Sequence, residues 1–184
     1  MSPISKKTSK RFRFISYKES YEYIIADYER YYKRKPKSFF DIFLLRFRER
    51  GFNYSFWMRL AGVKGILYPL CKYIQKRLST KYGFLIQPET QIGKGVYLGH
   101  GFIIVNPTTI IGENCSLSQF TTIGSNRGKA AEVGKNVYIG PNVCLVENVH
   151  IGDYAKIGAG AVVIKDVPAH ATAVGVPAHN IIKE

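Results

Sequence analysis

The sequence predicts a mainly β protein, a parallel β-helix preceded by an α-helical segment. Two observations carry the prediction: an aliphatic residue recurs every six positions from Ile86 onward, and Gly directly follows most of these residues. A hexapeptide period is typical of a parallel β-helix, in which each unit contributes one short strand and a turn. A third observation is a sharp change in composition near residue 84, where a basic, aromatic-rich stretch ends.

The repeat runs in two blocks separated by a loop. Equivalent side chains of successive units stack, so each recurring aliphatic side chain is expected to point inward and bury a continuous column. The glycines beside them are expected to permit the backbone conformation and close approach that a corner requires. The inward series is Ile86, Ile92, Leu98, Ile104, then after a one-residue slip Ile111, Leu117 and Ile123, followed by Val133, Ile139, Leu145, Ile151, Ile157 and Val163. The small residues expected to complete the narrow interior are Cys115, Thr121, Val143, Val149, Ala155 and Ala161.

Charge divides the chain into two parts, 1–84 and 85–184. The first part holds 20 basic and 6 acidic side chains, whereas the second holds 7 of each, so the whole net charge of +14 lies in the first part. We expect a helical segment over 1–84 and a β-helix domain with a C-terminal tail over 85–184, with the boundary near Gly83.

Two helices are expected in the basic segment, over 41–50 and 56–78. In the second, apolar residues recur at three- and four-residue spacing while Lys72, Lys76 and Arg77 fall elsewhere, which indicates an amphipathic helix. Its apolar face either packs against the β-helix or a neighbouring subunit, or attaches to an anionic membrane surface. The apolar positions are Leu67, Leu70, Cys71, Ile74 and Leu78.

Several protein classes are disfavoured by composition. The N-terminus alternates basic and aromatic residues without an apolar core, which argues against a secretion signal and for a cytoplasmic protein. Three cysteines outside any CxxC spacing argue against a disulfide framework or a zinc site, so we expect reduced thiols and no metal. Nucleic-acid binding is disfavoured because no recognition module accompanies the basic residues.

His100 is the candidate for chemistry. It lies between Gly99 and Gly101, where a corner of the β-helix is expected and a side chain can project into a cleft. An imidazole titrates near neutrality, so a neutral His can take the proton of an alcohol that attacks an acyl group. On spacing alone, a corner histidine is more often simply solvated. The other histidines are His150, His170 and His179.

Five short motifs carry a family resemblance. They are 95–101 (GVYLGHG), 111–114 (IGEN), 121–124 (TTIG), 157–163 (IGAGAVV) with 165–168 (KDVP), and 173–178 (AVGVPA). Together they resemble the hexapeptide acyltransferases with a left-handed β-helix, and within them the serine acetyltransferase branch, over about residues 84–182.

The resemblance implies a homotrimer that binds acetyl-CoA along the groove between neighbouring β-helices, with no metal. His100 matches the family's general base, and Gly99 and Arg127 match positions expected to contact the acceptor. The remaining residues implied in acetyl-CoA binding are Gly124, Pro141, Ala159, Gly160, Lys165, Gly175 and Pro177.

The sequence also departs from that family. Gly99 stands where an Asp is typical, Leu85 matches the Asp that orients the histidine, and no second histidine follows Arg127. Shortened chains of this kind resemble enzymes that O-acetylate sugars, so we expect an acetyl-CoA-dependent O-acetyltransferase acting on a sugar hydroxyl in surface-polysaccharide synthesis. The charge of the basic segment suggests a place for it at the inner face of the membrane. The alternatives are serine O-acetylation and a non-catalytic β-helix scaffold.

Overall fold

Residues 15–126 and 128–181 are described by a computed structural model, in which four helices precede a β-helix of five coils. The helices are α1 (Tyr17–Tyr32), α2 (Phe39–Leu45), α3 (Arg50–Ala61) and α4 (Tyr68–Tyr82). The strands are β1 (Phe84–Ile86), β2 (Gln91–Ile92), β3 (Tyr97–Leu98), β4 (Ile103–Val105), β5 (Ile110–Ile111), β6 (Ser116–Leu117), β7 (Thr122–Gly124), β8 (Glu132–Val133), β9 (Tyr138–Ile139), β10 (Cys144–Val146), β11 (His150–Ile151), β12 (Lys156–Ile157), β13 (Val162–Val163), β14 (Thr172–Val174) and β15 (His179–Ile181).

The strands form three faces. The first face has the order β1-β4-β7-β10-β13, the second β2-β5-β8-β11, and the third β3-β6-β9-β12-β14-β15. Every pair is parallel except β14 with β15, which closes the third face as an antiparallel hairpin. Residues equivalent in the repeat pair directly, as Leu98 does with Leu117 and Leu117 with Ile139. The predicted parallel β-helix is therefore confirmed.

The interior follows the predicted period. The six small residues expected inside are all buried, as are all members of the aliphatic series but one. The exception is Ile104, which is 44% exposed, while its neighbours Ile103 and Val105 are buried. The one-residue slip therefore lies between Leu98 and Val105 rather than after Ile104. The cause is an extra residue in the corner that joins β3 to β4, compared with the equivalent corner that joins β6 to β7.

The glycines that follow the aliphatic residues allow close approach of successive coils. A Cβ on Gly112 would lie 2.5 Å from the carbonyl oxygen of Gly134 in the next coil. Gly112 itself does not take a positive φ, and the left-handed backbone falls two residues later, at Asn114. The expectation of an unusual backbone conformation at these glycines is therefore wrong, whereas close approach is correct.

The helical boundaries differ from the prediction. Helix α1 was not expected, the segment 41–50 contains the end of α2 and the start of α3, and the segment 56–78 is broken between Ala61 and Tyr68. In α4, Cys71 is buried and Leu78 packs against the β-helix core, but Leu70 and the N-cap residue Leu67 remain half exposed. Helix α4 ends at Tyr82, and β1 begins two residues later.

Side chains of the helices cap the first coil. The Arg59 guanidinium donates to the carbonyl oxygens of Ile92 (2.6 Å) and Gly93 (2.7 Å) and forms a buried ion pair with Asp27 (3.0 Å). Asp27 in turn accepts a hydrogen bond from the Val96 amide at 2.9 Å. Burial raises the pKa of Asp27 above its usual range, and Arg59 opposes that rise. The helices thus satisfy backbone groups that no preceding coil can reach.

The three cysteines are free thiols, with Cys71 and Cys115 buried and Cys144 partly buried. Burial raises the pKa of the Cys115 thiol to about 11. Among the described residues, no helix combines the length and apolar character needed to cross a bilayer.

Candidate active site

His100 lies at the corner between the third and first faces, and its side chain is exposed. This corner contains the extra residue of the repeat. Three successive residues take positive φ there: His100 at 22°, Gly101 at 116° and Phe102 at 54°. The equivalent corner of the next coil has one such residue, Phe120 at 60°. The extra residue therefore makes the corner that carries His100 different in shape from the one above it.

Exposed aromatic rings stand beside this corner. The rings of Phe102 and Phe120 are stacked with centroids 5.4 Å apart and an angle of 16° between their planes, and both are more than half exposed. The amide of Phe102 donates to the Tyr82 carbonyl (3.1 Å), and the amide of Gly99 donates to the Leu117 carbonyl (2.8 Å). The corner is thus held from below by the end of α4 and from above by the second coil.

Most of the predicted acetyl-CoA residues stack on the same edge as His100. Because successive coils rise by about 4.8 Å, the turn after β14 lies about 19 Å along this edge from His100. The edge is exposed over much of its length and is built largely from small or rigid residues. Those predicted residues are Pro141 after β9, Ala159 and Gly160 after β12, and Gly175 and Pro177 after β14.

Gly124 and Lys165 lie across the first face, on its opposite edge. Gly124 ends β7, and the exposed Lys165 follows β13. The loop after Gly124 is anchored by Glu147, which accepts from the Ser125 hydroxyl (3.0 Å). Arg127 lies in this loop but outside the described residues. The first face is therefore bounded by His100 and the stacked turns on one edge, and by Gly124 and Lys165 on the other.

A cleft of about 730 Å³ lies between α4 and the lower part of the first face. Lys76, Leu85, Ile104 and Gly124 line it, but His100 does not. Leu85, predicted from the resemblance to match the family's orienting Asp, is 56% exposed and pairs directly with Ile104. Among residues 15–126 and 128–181, no side chain hydrogen-bonds the His100 imidazole, so the structure offers no carboxylate in place of that Asp.

Of the remaining histidines, His179 begins β15 and lies beside Gly175, and the other two lie elsewhere on the β-helix. His150 lies 3.6 Å from both Glu132 and Asp166 on the second face. His170 stacks on Tyr154 with ring centroids 5.0 Å apart. Within the part of the chain that the structure describes, no three His, Cys, Asp or Glu side chains converge in a way that could hold a metal ion.

Sequence reasoning missed two features of this corner. The aromatic pair could have been found from the sequence. Once the seven-residue step from Leu98 to Val105 is recognised, Val105 and Ile123 are equivalent inward positions. Phe102 and Phe120 then lie at equivalent places before them. The contact between Leu98 and Tyr31 in α1 had no such signal in the sequence, since the two residues are 67 positions apart.

Comparison with known proteins supports this description of the fold. Residues 130–165 match the family model of the bacterial transferase hexapeptide (six repeats). The chain is 38% identical over 123 residues to the serine acetyltransferase of Buchnera aphidicola, covering 64% of this chain and 47% of that enzyme. It is thus similar to only about half of that enzyme's length.

Two solved structures extend the similarity to the helices. The Neisseria gonorrhoeae serine acetyltransferase in complex with serine is 30% identical, with a TM-score of 0.73 over 91% of this chain and 71% of that one. A serine acetyltransferase in complex with CoA is 27% identical, with a TM-score of 0.73 over 90% of this chain and 71% of that one.

The fold and the stacked turns define a hexapeptide-repeat protein of the acyltransferase type. Within that class, the chain belongs to the serine acetyltransferase-like family.

Proposed function

We propose that this chain is an acetyl-CoA-dependent O-acetyltransferase with His100 as its general base. The observation that carries the proposal is the single exposed edge on which His100 and five predicted acetyl-CoA residues are stacked. A relative with the same fold is known in complex with CoA. A non-catalytic scaffold would require neither the histidine nor this alignment of small residues along one edge.

The proposed reaction uses one histidine for two proton transfers. The neutral His100 imidazole accepts the proton of the acceptor hydroxyl as its oxygen attacks the thioester carbonyl carbon. Backbone N–H groups are suited to stabilise the oxyanion of the tetrahedral intermediate. When the carbon–sulfur bond breaks, the imidazolium returns the proton to the CoA thiolate. The products are the O-acetyl ester and free CoA, and no metal is required.

The acceptor best supported by the comparisons is serine. The relatives are serine acetyltransferases, and one is known in complex with serine. For this chain, Gly99 and Arg127 then serve as candidate contacts for the serine acceptor.

A sugar hydroxyl is the second candidate, and one observation favours it. The exposed, stacked rings of Phe102 and Phe120 beside His100 form a flat apolar platform, and exposed apolar patches of this kind mark binding sites. Leu85 also removes a charge from the first face at the position where the family carries an Asp.

The two acceptors are separated by a thiol-release assay with acetyl-CoA. Serine and a panel of nucleotide sugars and oligosaccharides are compared by kcat/KM. A Phe102→Ala variant is the structural probe, and Tyr154→Ala, which removes an exposed ring far from His100, is its matched control. Loss of activity toward a sugar in Phe102→Ala alone supports the sugar acceptor. Highest activity with serine, unchanged in both variants, supports serine. Absence of thiol release with every acceptor contradicts the proposed function itself.

We also propose that the enzyme is a homotrimer in which the first face of each subunit contributes to a shared groove. Exposed apolar side chains run along that face at Leu85, Ile104, Val146 and Ile164, and such a strip is suited to subunit contact. Sedimentation velocity of the intact chain is expected to show a trimer. An active monomer at micromolar concentration contradicts the shared groove.

A cytoplasmic location at the inner membrane face is proposed from the surface of α2 and its flanks. Phe39, Phe40, Leu44 and Phe47 are each at least half exposed. Exposed lysines at 33, 35 and 37 adjoin them, and a cationic surface with exposed aromatic residues is suited to an anionic bilayer. Two other cations of the helical segment are engaged in ion pairs, Arg34 with Asp41 and Lys72 with Glu89.

The membrane proposal is tested by co-sedimentation with anionic vesicles at low and high salt. A variant with Lys33, Lys35 and Lys37 changed to Gln is compared with one in which Lys129, Lys135 and Lys156 on the β-helix are changed to Gln. The two variants lose the same charge. Weaker binding only in the first supports the surface at α2, whereas equal binding of both, or self-association through α2, overturns it.

A further inference from the structure

The backbone of Leu98, two residues before His100, is held by a single side chain. The Tyr31 hydroxyl accepts a hydrogen bond from the Leu98 amide (2.7 Å) and donates one to the Leu98 carbonyl oxygen (2.9 Å). The flanking amides of Tyr97 and Gly99 donate to the second coil. Tyr31 therefore occupies the place that a strand of a preceding coil would take below Leu98.

The position of Tyr31 is itself well determined. Its ring packs 4.6 Å from the ring of Tyr97 and 5.6 Å from that of Phe52, measured between centroids. Burial raises the pKa of Tyr31 well above its usual range, so the hydroxyl keeps the proton that it donates. The absence of a side chain at Gly51 permits this arrangement, because a Cβ there would collide with both the Leu98 carbonyl and the Tyr31 hydroxyl.

We propose that Tyr31 is a positioning residue for His100. The corner after Leu98 carries an additional residue and three successive positive φ angles, so its path depends on where its first residue is fixed. Among the described residues, no side chain hydrogen-bonds the His100 imidazole, so the placement of its backbone determines where the imidazole points. This inference rests on the proposed function, in which His100 is the general base.

The test compares Tyr31→Phe with Tyr32→Phe. Tyr32 is the next residue of α1, and its hydroxyl donates to the Leu45 carbonyl (2.6 Å), which does not contact the β-helix. Tyr31→Phe is expected to lower kcat by about 10-fold to 100-fold, since a displacement of about 1 Å in a reacting group has effects of that order. The KM for acetyl-CoA is expected to change less than about twofold, because the stacked turns are untouched. Tyr32→Phe is expected to leave kcat unchanged.

A readout independent of turnover is the NMR spectrum of the histidine side chains, with the His100 signal assigned by its loss in His100→Ala. In Tyr31→Phe, the His100 signal is expected to shift or broaden while those of His150, His170 and His179 stay in place. Unchanged kcat and an unchanged His100 signal in folded Tyr31→Phe overturn the proposal. An altered His100 signal without any acetyl transfer in the wild type contradicts the proposed function and leaves the positioning role intact.

One further measurement uses the wild type alone, so it does not depend on whether a variant folds. In the wild type, the Leu98 amide is expected to exchange with solvent as slowly as amides inside the coils. If the Leu98 amide proton exchanges as fast as those of an exposed loop, the Tyr31 hydroxyl does not hold the Leu98 backbone, and the proposal is overturned.

Discussion

Breaking the buried ion pair between Asp27 and Arg59 is expected to destabilise the whole molecule. The two side chains are 0% and 5% exposed, and Arg59 is further bonded only to two backbone carbonyl oxygens among the described residues. Asp27→Asn keeps the shape but removes the counter-charge, which leaves a buried guanidinium without a carboxylate. Removal of one partner from such a pair costs about 3–5 kcal/mol, a large part of the 5–15 kcal/mol typical of a folded domain.

Urea unfolding at a fixed protein concentration measures this loss. Glu113→Gln is the matched control, since its pair with Lys135 spans 3.9 Å and both side chains are more than 40% exposed; its loss is expected to stay below about 1 kcal/mol. Asp27→Asn combined with Arg59→Met is expected to be more stable than Asp27→Asn alone, because the uncompensated charge is gone. Equal losses in Asp27→Asn and Glu113→Gln, or additive losses in the double variant, refute the reasoning.

Two further predictions concern the packing of the first coils. Ile103→Ala is expected to lower the free energy of unfolding by about 2–5 kcal/mol because it leaves a cavity, whereas Ile104→Ala, at a half-exposed position, is expected to cost less than about 1 kcal/mol. Similar losses from the two variants in urea unfolding would show that the strand register is wrong. Burial raises the pKa of Tyr54 to about 12. The neutral Tyr54 hydroxyl therefore adds about 3 kcal/mol to the free energy of unfolding below pH 10, and this contribution is lost between pH 10 and 12. Unfolding measured at pH 9 and pH 12 is expected to show a smaller pH dependence in Tyr54→Phe, and an unchanged dependence would contradict this role for Tyr54.

The coils were predictable because each repeats one backbone geometry, so a single period identifies the inward side chains. The error at Ile104 arose where three aliphatic residues are consecutive, Ile103, Ile104 and Val105. There the pattern allows either Ile104 or the pair Ile103 and Val105 to point inward. The extra residue in the preceding corner determines which of the two occurs. The conformation of this corner depends on tertiary contacts, which cannot be predicted from the hydrophobic spacing.

The helices were less predictable because their buried faces are not simple apolar stripes. Helix α1 buries Ser20 and Asp27 beside Ile24 and Tyr28, so its inward face contains polar residues that pair with the first coil. Most of α3 is buried on all sides. His100 could be found from its place between glycines at a corner, but Tyr31 could not, because its role depends on a contact between distant parts of the chain.

The central claim is that His100 performs the proton transfers of acetyl transfer. The most direct test is turnover of His100→Ala in the thiol-release assay, with His170→Ala as a control that removes an exposed histidine from another corner. The account predicts a decrease of about 10²-fold to 10⁴-fold in kcat for His100→Ala, with unchanged circular dichroism and oligomeric state, and near-wild-type turnover for His170→Ala. A properly folded His100→Ala that turns over within about twofold of the wild type would contradict the assignment of His100 as the general base.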